Sequence, residues 1–325
     1  MPRWLLYALV TVVMFGVFGF LAGLNDREKT HWLATSALMT IGVVPVLIPM
    51  ALKKGAFSGR NPRRGALFAL LTGLVGGITN IGTYAALAKG GPVNIVIPLT
   101  AAYPIVAAVA AVVLLRERIN LIQFAGIFVG VSGAILLSTG AAPDATQSLW
   151  EQLRNAVGQE WFWWTMDTLL GQAVIGILGK LSTNDLEPEG SFVLFGVVFC
   201  LFAVGLFVIE QTEFSFVRSI VGADHVSWNI TPTSWVLILG LGLVTGIGVL
   251  FQLMALRAGN AGIVTALTGM YPVVTSLLAV TILGEPITSK IAIGTLLVLA
   301  GSAAMSFETA HAPEAEPQAS STGVQ

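Results

Sequence analysis

The chain has 325 residues, of which 55% are hydrophobic and only 10% are charged. A soluble domain carries about a quarter charged residues, so this composition excludes a water-soluble protein and predicts an integral membrane protein. The formal net charge of −1 excludes a nucleic-acid binder, and the single cysteine excludes an intramolecular disulfide and a cysteine-rich metal site.

Ten apolar stretches are long enough to cross a bilayer as helices, which takes about 20 residues each. In chain order they are residues 4–24, 32–52, 65–88, 93–115, 119–138, 161–181, 191–209, 234–256, 261–283 and 287–307. The apolar runs are continuous, whereas a barrel strand alternates apolar and polar residues. The sequence therefore predicts an all-α integral membrane protein with ten transmembrane helices.

Positive charge predicts how these spans are oriented. With the N-terminus inside, the inner segments hold ten lysines and arginines and the outer segments hold six. The loop 53–64 alone contributes five of them. Because positive loops stay on the inner side, we expect a multi-pass cell-membrane protein with both termini in the cytoplasm. Residues 139–160 then form an external linker that could include a surface helix, and residues 308–325 a disordered cytoplasmic tail.

The chain contains an internal repeat. A shift of 168 residues aligns 89–138 with 257–306 without a gap, and the identical positions include the pairs Leu99/Leu267, Thr100/Thr268, Tyr103/Tyr271, Pro104/Pro272, Glu117/Glu285, Gly126/Gly294 and Gly133/Gly301. The repeat unit has five spans, an odd number, so the second copy enters the membrane upside down. This arrangement predicts two inverted five-helix repeats, 1–138 and 161–307, which is typical of secondary transporters.

Each repeated segment carries a proline in mid-helix, a glutamate at a helix end and a closing helix with glycines. The two segments are ALAKGGPVNIVIPLTAAYPIVAAVAAVVLLRERINLIQFAGIFVGVSGAILLS and MALRAGNAGIVTALTGMYPVVTSLLAVTILGEPITSKIAIGTLLVLAGSAAMS. In these features the chain resembles the EamA-type ten-helix members of the drug/metabolite transporter superfamily. The resemblance implies a carrier whose fifth and tenth helices stand outside a central cavity. It fails at the end of the first span, where Leu24 and Asn25 replace a lysine that is frequent in the family. Only Lys180, in the sixth span, is kept.

Two prolines mark the middle of spans four and nine. A helix-interior proline removes the hydrogen bond to the carbonyl four residues back, so Pro104 and Pro272 predict kinks that free the carbonyls of Thr100 and Thr268. In lipid such a carbonyl must face protein or a wet cavity. Lining of a substrate cavity is therefore our hypothesis for both kinks, and satisfaction by packing and Ser or Thr side chains is the alternative.

Further polar residues of spans three, four, eight and nine extend this hypothesis, because polar groups in a span usually face inward. The complete set of predicted cavity residues is Asn80, Tyr84, Thr100, Tyr103, Gln252, Thr268 and Tyr271.

Asp167 is the only acidic residue in any span. It is a candidate for coupling transport to a proton or cation, against the alternative of a carboxylate that is hydrated or paired in the headgroup zone. Glu117 and Glu285 are interpreted as structural acids facing helix N-termini, with a gating ion pair as the alternative.

These patterns favour a secondary active transporter that works by alternating access, since the chain has no soluble domain to hydrolyse ATP. The basic residues within spans lie near their ends, so we expect a small neutral or zwitterionic metabolite as the substrate. An integral-membrane enzyme and a non-transporting scaffold are the alternatives. The expected partners are the substrate and the lipid bilayer, with a homodimer left open, and no metal or cofactor is expected.

Overall fold

The computed structural model describes residues 1–28, 30–91, 96, 100, 102–138, 157–211, 230–284 and 289–306. Every regular element in these ranges is helical. The longer helices are α1 (Arg3–Arg27), α2 (Trp32–Leu52), α3 (Pro62–Ala88), α4 (Tyr103–Leu114), α5 (Leu121–Ser138), α6 (Glu160–Asp185), α7 (Pro188–Gln211), α8 (Pro232–Ala258), α10 (Pro272–Leu283) and α11 (Ser289–Ser306), and the short α9 is Ala261–Thr268.

These helices confirm the predicted ten-span fold. Within the described residues, five helices are long and apolar enough to cross a membrane, judged by length and composition: Arg3–Asn25, Trp32–Leu52, Pro188–Val208, Pro232–Ala258 and Ala261–Leu283. The last of them contains both α9 and α10, so the ninth span is a broken helix. The predicted external linker lies mostly outside the described residues, and the predicted tail lies wholly outside them.

Contacts between helix ends show how the repeats are oriented. At one end, which we call the Lys180 end, Gly259 lies against Trp4 and the hydroxyl of Ser182 donates to the carbonyl of Gly65. At the opposite end, the Glu160 end, Lys89 pairs with Glu160 at 3.2 Å. Helix α1 therefore starts at the Lys180 end, whereas α6, the first helix of the second repeat, finishes there. The two repeats run in opposite directions, as the odd number of spans requires.

The packing of the helices follows the same approximate two-fold symmetry. The contact of α1 with α8 is matched by the equivalent contact of α6 with α3. In the same way, the contact of α1 with α10 is matched by the contact of α6 with α4. Two further contacts pair equivalent helices of the two repeats, α2 with α7 and α5 with α11, and α4 of the fourth span packs on α9 of the equivalent ninth span. The helices fall into two groups of mixed origin. We call α3, α4 and α6 the α6 bundle, and α1, α8, α9 and α10 the α1 bundle.

Helices α5 and α11 are antiparallel and cross where glycines face each other. A Cβ on Gly301 would lie 2.4 Å from the amide nitrogen of Gly130 and 2.6 Å from the carbonyl oxygen of Gly126. Small residues let two membrane helices approach this closely, which is how such helices associate in lipid. Because α5 begins near the Lys180 end, Ser306 and Arg3 lie at the same end of the molecule, as an even number of spans predicts.

Candidate functional site

The ninth span is interrupted rather than bent. Helix α9 finishes at Thr268, the amide of Met270 donates to the carbonyl of Leu267 at 3.1 Å, and α10 starts at Pro272. Proline is favoured in the first turn of a helix, because the amide it lacks would have no partner there. At the predicted kink of Pro272 the helix is thus interrupted by a turn of three residues, 269–271, between α9 and α10.

The fourth span has its counterpart at Pro104. Helix α4 begins at Tyr103, so Pro104 again stands in the first helical turn, and the amide of Ile105 donates to the carbonyl of Ala102 at 3.1 Å. Thr100 is partly buried in front of this start. Residues 97–99 and 101 lie outside the described part of the chain.

The two proline sites meet at the centre of the molecule. A Cβ on Gly269, in the turn between α9 and α10, would lie 2.7 Å from Cγ of Pro104 and 3.1 Å from the hydroxyl oxygen of Tyr103. Glycine at this position therefore lets the start of α4 contact the break in the ninth span. Sequence reasoning predicted two equivalent kinks, and the structure brings them into direct contact.

Aromatic side chains surround this junction. The ring of Tyr271 meets the ring of Phe15 edge-on, with centroids 6.3 Å apart and an interplanar angle of 86°. The phenol of Tyr103 reaches the same turn, since its hydroxyl oxygen lies beside Gly269, two residues before Tyr271. Helix α1 is fixed beside them, because the hydroxyl of Thr275 donates to the carbonyl of Gly16 at 2.9 Å. Phe15 was not among the predicted cavity residues, since an aromatic residue in an apolar span carries no distinguishing signal.

The threonines of α9 are fully buried. The hydroxyl of Thr268 donates to the carbonyl of Thr265 at 3.2 Å, so it supports the end of its own helix. The hydroxyl of Thr265 is buried without a hydrogen-bond partner among the described residues and lies beside Gly176 of α6. Sequence reasoning missed Thr265, because the repeat places Ile97 opposite it and gives no matching polar pair.

The other predicted cavity residues are on α3 and α8. The amide of Asn80 donates to the hydroxyl of Ser36 on α2 at 3.2 Å, which ties α3 to α2. Gln252 is partly buried on α8 and follows Phe251, whose ring packs against Tyr7. Tyr84 belongs to α3, but its side chain lies outside the described residues. The described contacts do not join Asn80 or Gln252 to the two tyrosines.

Asp167 lies where α6 packs on α3. A Cβ on Gly82 would be 2.8 Å from its Oδ2 atom, and this oxygen is buried without a hydrogen-bond partner among the described residues. Ion pairing in the described part of the chain involves other carboxylates, such as Asp185 with Arg64. Residues 285–288, which include Glu285, lie outside that part.

Glu117 faces a helix N-terminus, as its interpretation as a structural acid requires. Its carboxylate accepts hydrogen bonds from the amides of Ala261 at 2.7 Å and Gly262 at 3.1 Å, at the start of α9. Such a carboxylate satisfies amides that have no partner in the first turn and complements the positive end of the helix dipole. The acid belongs to the first repeat and the helix to the second, so the contact joins the two halves.

Comparison with known proteins agrees with this architecture. A crystal structure superposes with a TM-score of 0.70 and 20% sequence identity, over 93% of this chain and 95% of that chain, and so shares the fold. Among curated proteins, no sequence relative is found. The model of the EamA-like transporter family matches residues 2–139 and 163–307, one match for each five-helix repeat. These matches cover most of the sequence, and the chain therefore belongs to the EamA-like transporter family.

Proposed function

We propose that the protein is a secondary active transporter that moves a small neutral or zwitterionic metabolite by alternating access. Family membership supports membrane transport of the drug/metabolite type. The observation that carries the proposal is the contact of the two proline sites, where Gly269 meets Pro104 and Tyr103. A broken helix at mid-span is tolerated where its backbone faces protein or a cavity, and many transporters bind their substrates at such breaks.

The chemistry of this junction suits a ligand with an apolar body and a few polar groups. Tyr103 and Tyr271 each present an aromatic face and a hydroxyl that can donate or accept a hydrogen bond. Phe15 adds a purely apolar ring beside Tyr271. Rings of this kind hold flat or aliphatic groups, while the hydroxyls and the carbonyls of the break orient polar atoms.

Charge supports a ligand without net negative charge. Lys180 is on α6 and Arg257 is on α8. Both direct their charged groups to backbone carbonyls at the Lys180 end. An anionic substrate is normally held by arginine or lysine aimed at it. The described residues around the junction offer hydroxyls and aromatic rings instead.

Transport by the purified protein in liposomes tests the proposal. A panel of neutral and zwitterionic metabolites is first screened for ligands that raise the melting temperature, and each ligand found is then assayed for uptake. We expect at least one zwitterionic or neutral compound to be stabilising and transported, with sugar phosphates inactive. Stabilisation and uptake limited to anionic compounds would contradict the assignment of substrate class.

Coupling is tested at Asp167. If this carboxylate carries the coupled proton or cation, Asp167→Asn abolishes accumulation driven by a gradient but leaves substrate exchange across the membrane intact. The matched control is Asp185→Asn, which removes a carboxylate paired with Arg64 at the Lys180 end and should preserve both modes. Equal loss of accumulation and exchange in Asp167→Asn, or no loss, would remove Asp167 from coupling.

The proposed orientation places both termini and the Lys180 end in the cytoplasm. Ser58 is exposed in the loop between α2 and α3, which carries five of the positive charges. In a Cys200→Ser background, Ser58→Cys should be protected from an impermeant thiol reagent in intact cells, and Ser148→Cys, outside the described residues, should be labelled. The reverse labelling pattern would invert the orientation.

A further inference from the structure

The Lys180 end contains a set of charged side chains that join the two bundles. The ammonium of Lys180, on α6, donates to the carbonyls of Leu256 at 2.6 Å and Gly259 at 2.7 Å, where α8 ends. These carbonyls have no acceptor role within the helix, so a cation there both satisfies them and complements the negative end of the helix dipole.

Arg257 makes the same contact in the opposite direction. It lies on α8, and its guanidinium donates to the carbonyls of Thr183 at 3.2 Å and Leu186 at 3.0 Å, where α6 ends. The same guanidinium pairs with Glu187 at 2.8 Å. Each of the two helices thus supplies the cation that caps the other, and the two caps cross the boundary between the α6 bundle and the α1 bundle.

Glu117 completes the connection. It follows α4 of the α6 bundle and caps the start of α9 in the α1 bundle. Next to it, the side-chain amide of Asn260 donates to the carbonyl of Arg118 at 3.4 Å. We call Lys180, Arg257 and Glu117 the capping triad. Every member bonds to backbone groups of the bundle to which it does not belong.

The opposite end lacks an equivalent connection in the described residues. By the symmetry of the repeats, contact between α6 and α8 should be matched by contact between α1 and α3, yet α1 and α3 make almost no contact. Alignment of 15–19 with 175–179 places Phe20 at the position of Lys180. Lys89 occupies the position of Arg257, and it pairs with Glu160 of α6, within its own bundle.

We propose that the capping triad is the gate of the Lys180 end, and that the structure shows the conformation in which this gate is closed while α1 and α3 are separated from each other. The inference rests on the proposed alternating access. Opening requires the bundles to separate at this end, which exchanges the charge-assisted hydrogen bonds of the triad for bonds to water. The triad lies at the ends of its helices, where water can replace the lost partners when the bundles separate.

Distances between spin labels test the gate without any substrate. In a Cys200→Ala background, labels are attached at Pro2→Cys before α1 and at Pro62→Cys on α3, both of which are exposed at the Lys180 end and belong to different bundles. The distance distribution is measured by pulsed electron resonance in lipid nanodiscs. Lys180→Gln and Glu117→Gln should each raise the population at longer distances about tenfold, as expected for loss of a charge-assisted hydrogen bond.

Arg64→Gln is the matched control. It removes a cation at the same end, but the ion pair of Arg64 with Asp185 joins two helices of the α6 bundle. This variant should keep the wild-type distance distribution. Unchanged distributions in both Lys180→Gln and Glu117→Gln, with folded protein by thermal melting, would overturn the gate. Failure of the proposed function is read separately, as absence of uptake by wild-type protein in liposomes.

Discussion

Two pairs of equivalent spans cross inside this molecule, and their crossings are built differently. Helices α5 and α11 are uninterrupted, and their backbones touch through Gly130 and Gly301. The fourth and ninth spans meet instead through Pro104, Tyr103 and the turn at Gly269. Both pairs arose from the same repeat, since each has its counterpart at a shift of 168 residues. The difference is that small residues lie where two uninterrupted helices associate, whereas irregular backbone and tyrosine rings lie at the proposed substrate site.

The largest effect is expected from filling the glycine crossing. In Gly301→Ala the new Cβ would lie 2.4–2.6 Å from backbone atoms of Gly126 and Gly130, which cannot move without separating the helices. We expect a loss of about 3 kcal/mol in the free energy of unfolding, at the upper end for overpacked sites. Unfolding in mixed micelles measures it. Gly23→Ala is the control, because a Cβ there meets no atom within 4 Å and should change stability by less than about 1 kcal/mol.

Truncation of the two tyrosine rings at the junction should weaken substrate binding and leave stability nearly unchanged. Tyr103→Ala and Tyr271→Ala are each expected to weaken substrate binding about tenfold or more while the protein remains folded, because neither change removes a helix hydrogen bond. Binding is measured by titration of the ligand found in the thermal screen. Tyr7→Ala makes the same truncation at the ring pair with Phe251, and unchanged binding is expected. Equal weakening in all three variants would show that the junction has no special role.

The smallest effect on stability is expected at the proline itself. Pro104 stands in the first turn of α4, where an amide would have no helix partner, so Pro104→Ala should change the free energy of unfolding by less than about 1 kcal/mol. Transport should fall, because the ring that contacts Gly269 is lost. Pro45→Ala, in an exposed position inside the continuous helix α2, serves as the control and should transport normally. Normal transport and unchanged affinity in Pro104→Ala would mean that this irregularity serves packing alone.

The prolines also show how far sequence reasoning reaches. Hydropathy and the repeat predicted ten spans and two inverted halves, because apolar length and register are local properties of the chain. Proline alone did not distinguish a kink from a break: Pro45 and Pro49 lie inside the uninterrupted α2, whereas Pro272 begins a new helix. Whether a proline interrupts its helix depends on neighbours in space, here the ring of Pro104 against Gly269. These neighbours cannot be predicted from the local sequence.

The partners of the charged residues were equally beyond local reasoning. Lys180 was predicted only to lie near the end of its span, and the carbonyl that it binds is 76 residues away in the chain. Glu117 was expected at a helix N-terminus, and the helix that it caps begins 144 residues later. Residue type and position near a span end predicted the chemistry of each contact, while the fold decided which helix would receive it.

The contact of Glu117 with the start of α9 has a consequence for how the protein is synthesised and assembled. The chain is synthesised from its N-terminus, so Glu117 reaches the membrane before the amides of Ala261 and Gly262 exist to bind it. The first repeat also waits for α6, α7 and α8 before α1, α2 and α3 find the neighbours against which they pack. Biogenesis therefore includes a stage in which five inserted helices lack their partners. A half-chain ending after Ser138 should remain in that stage and be recognised by the proteases that remove unassembled membrane proteins.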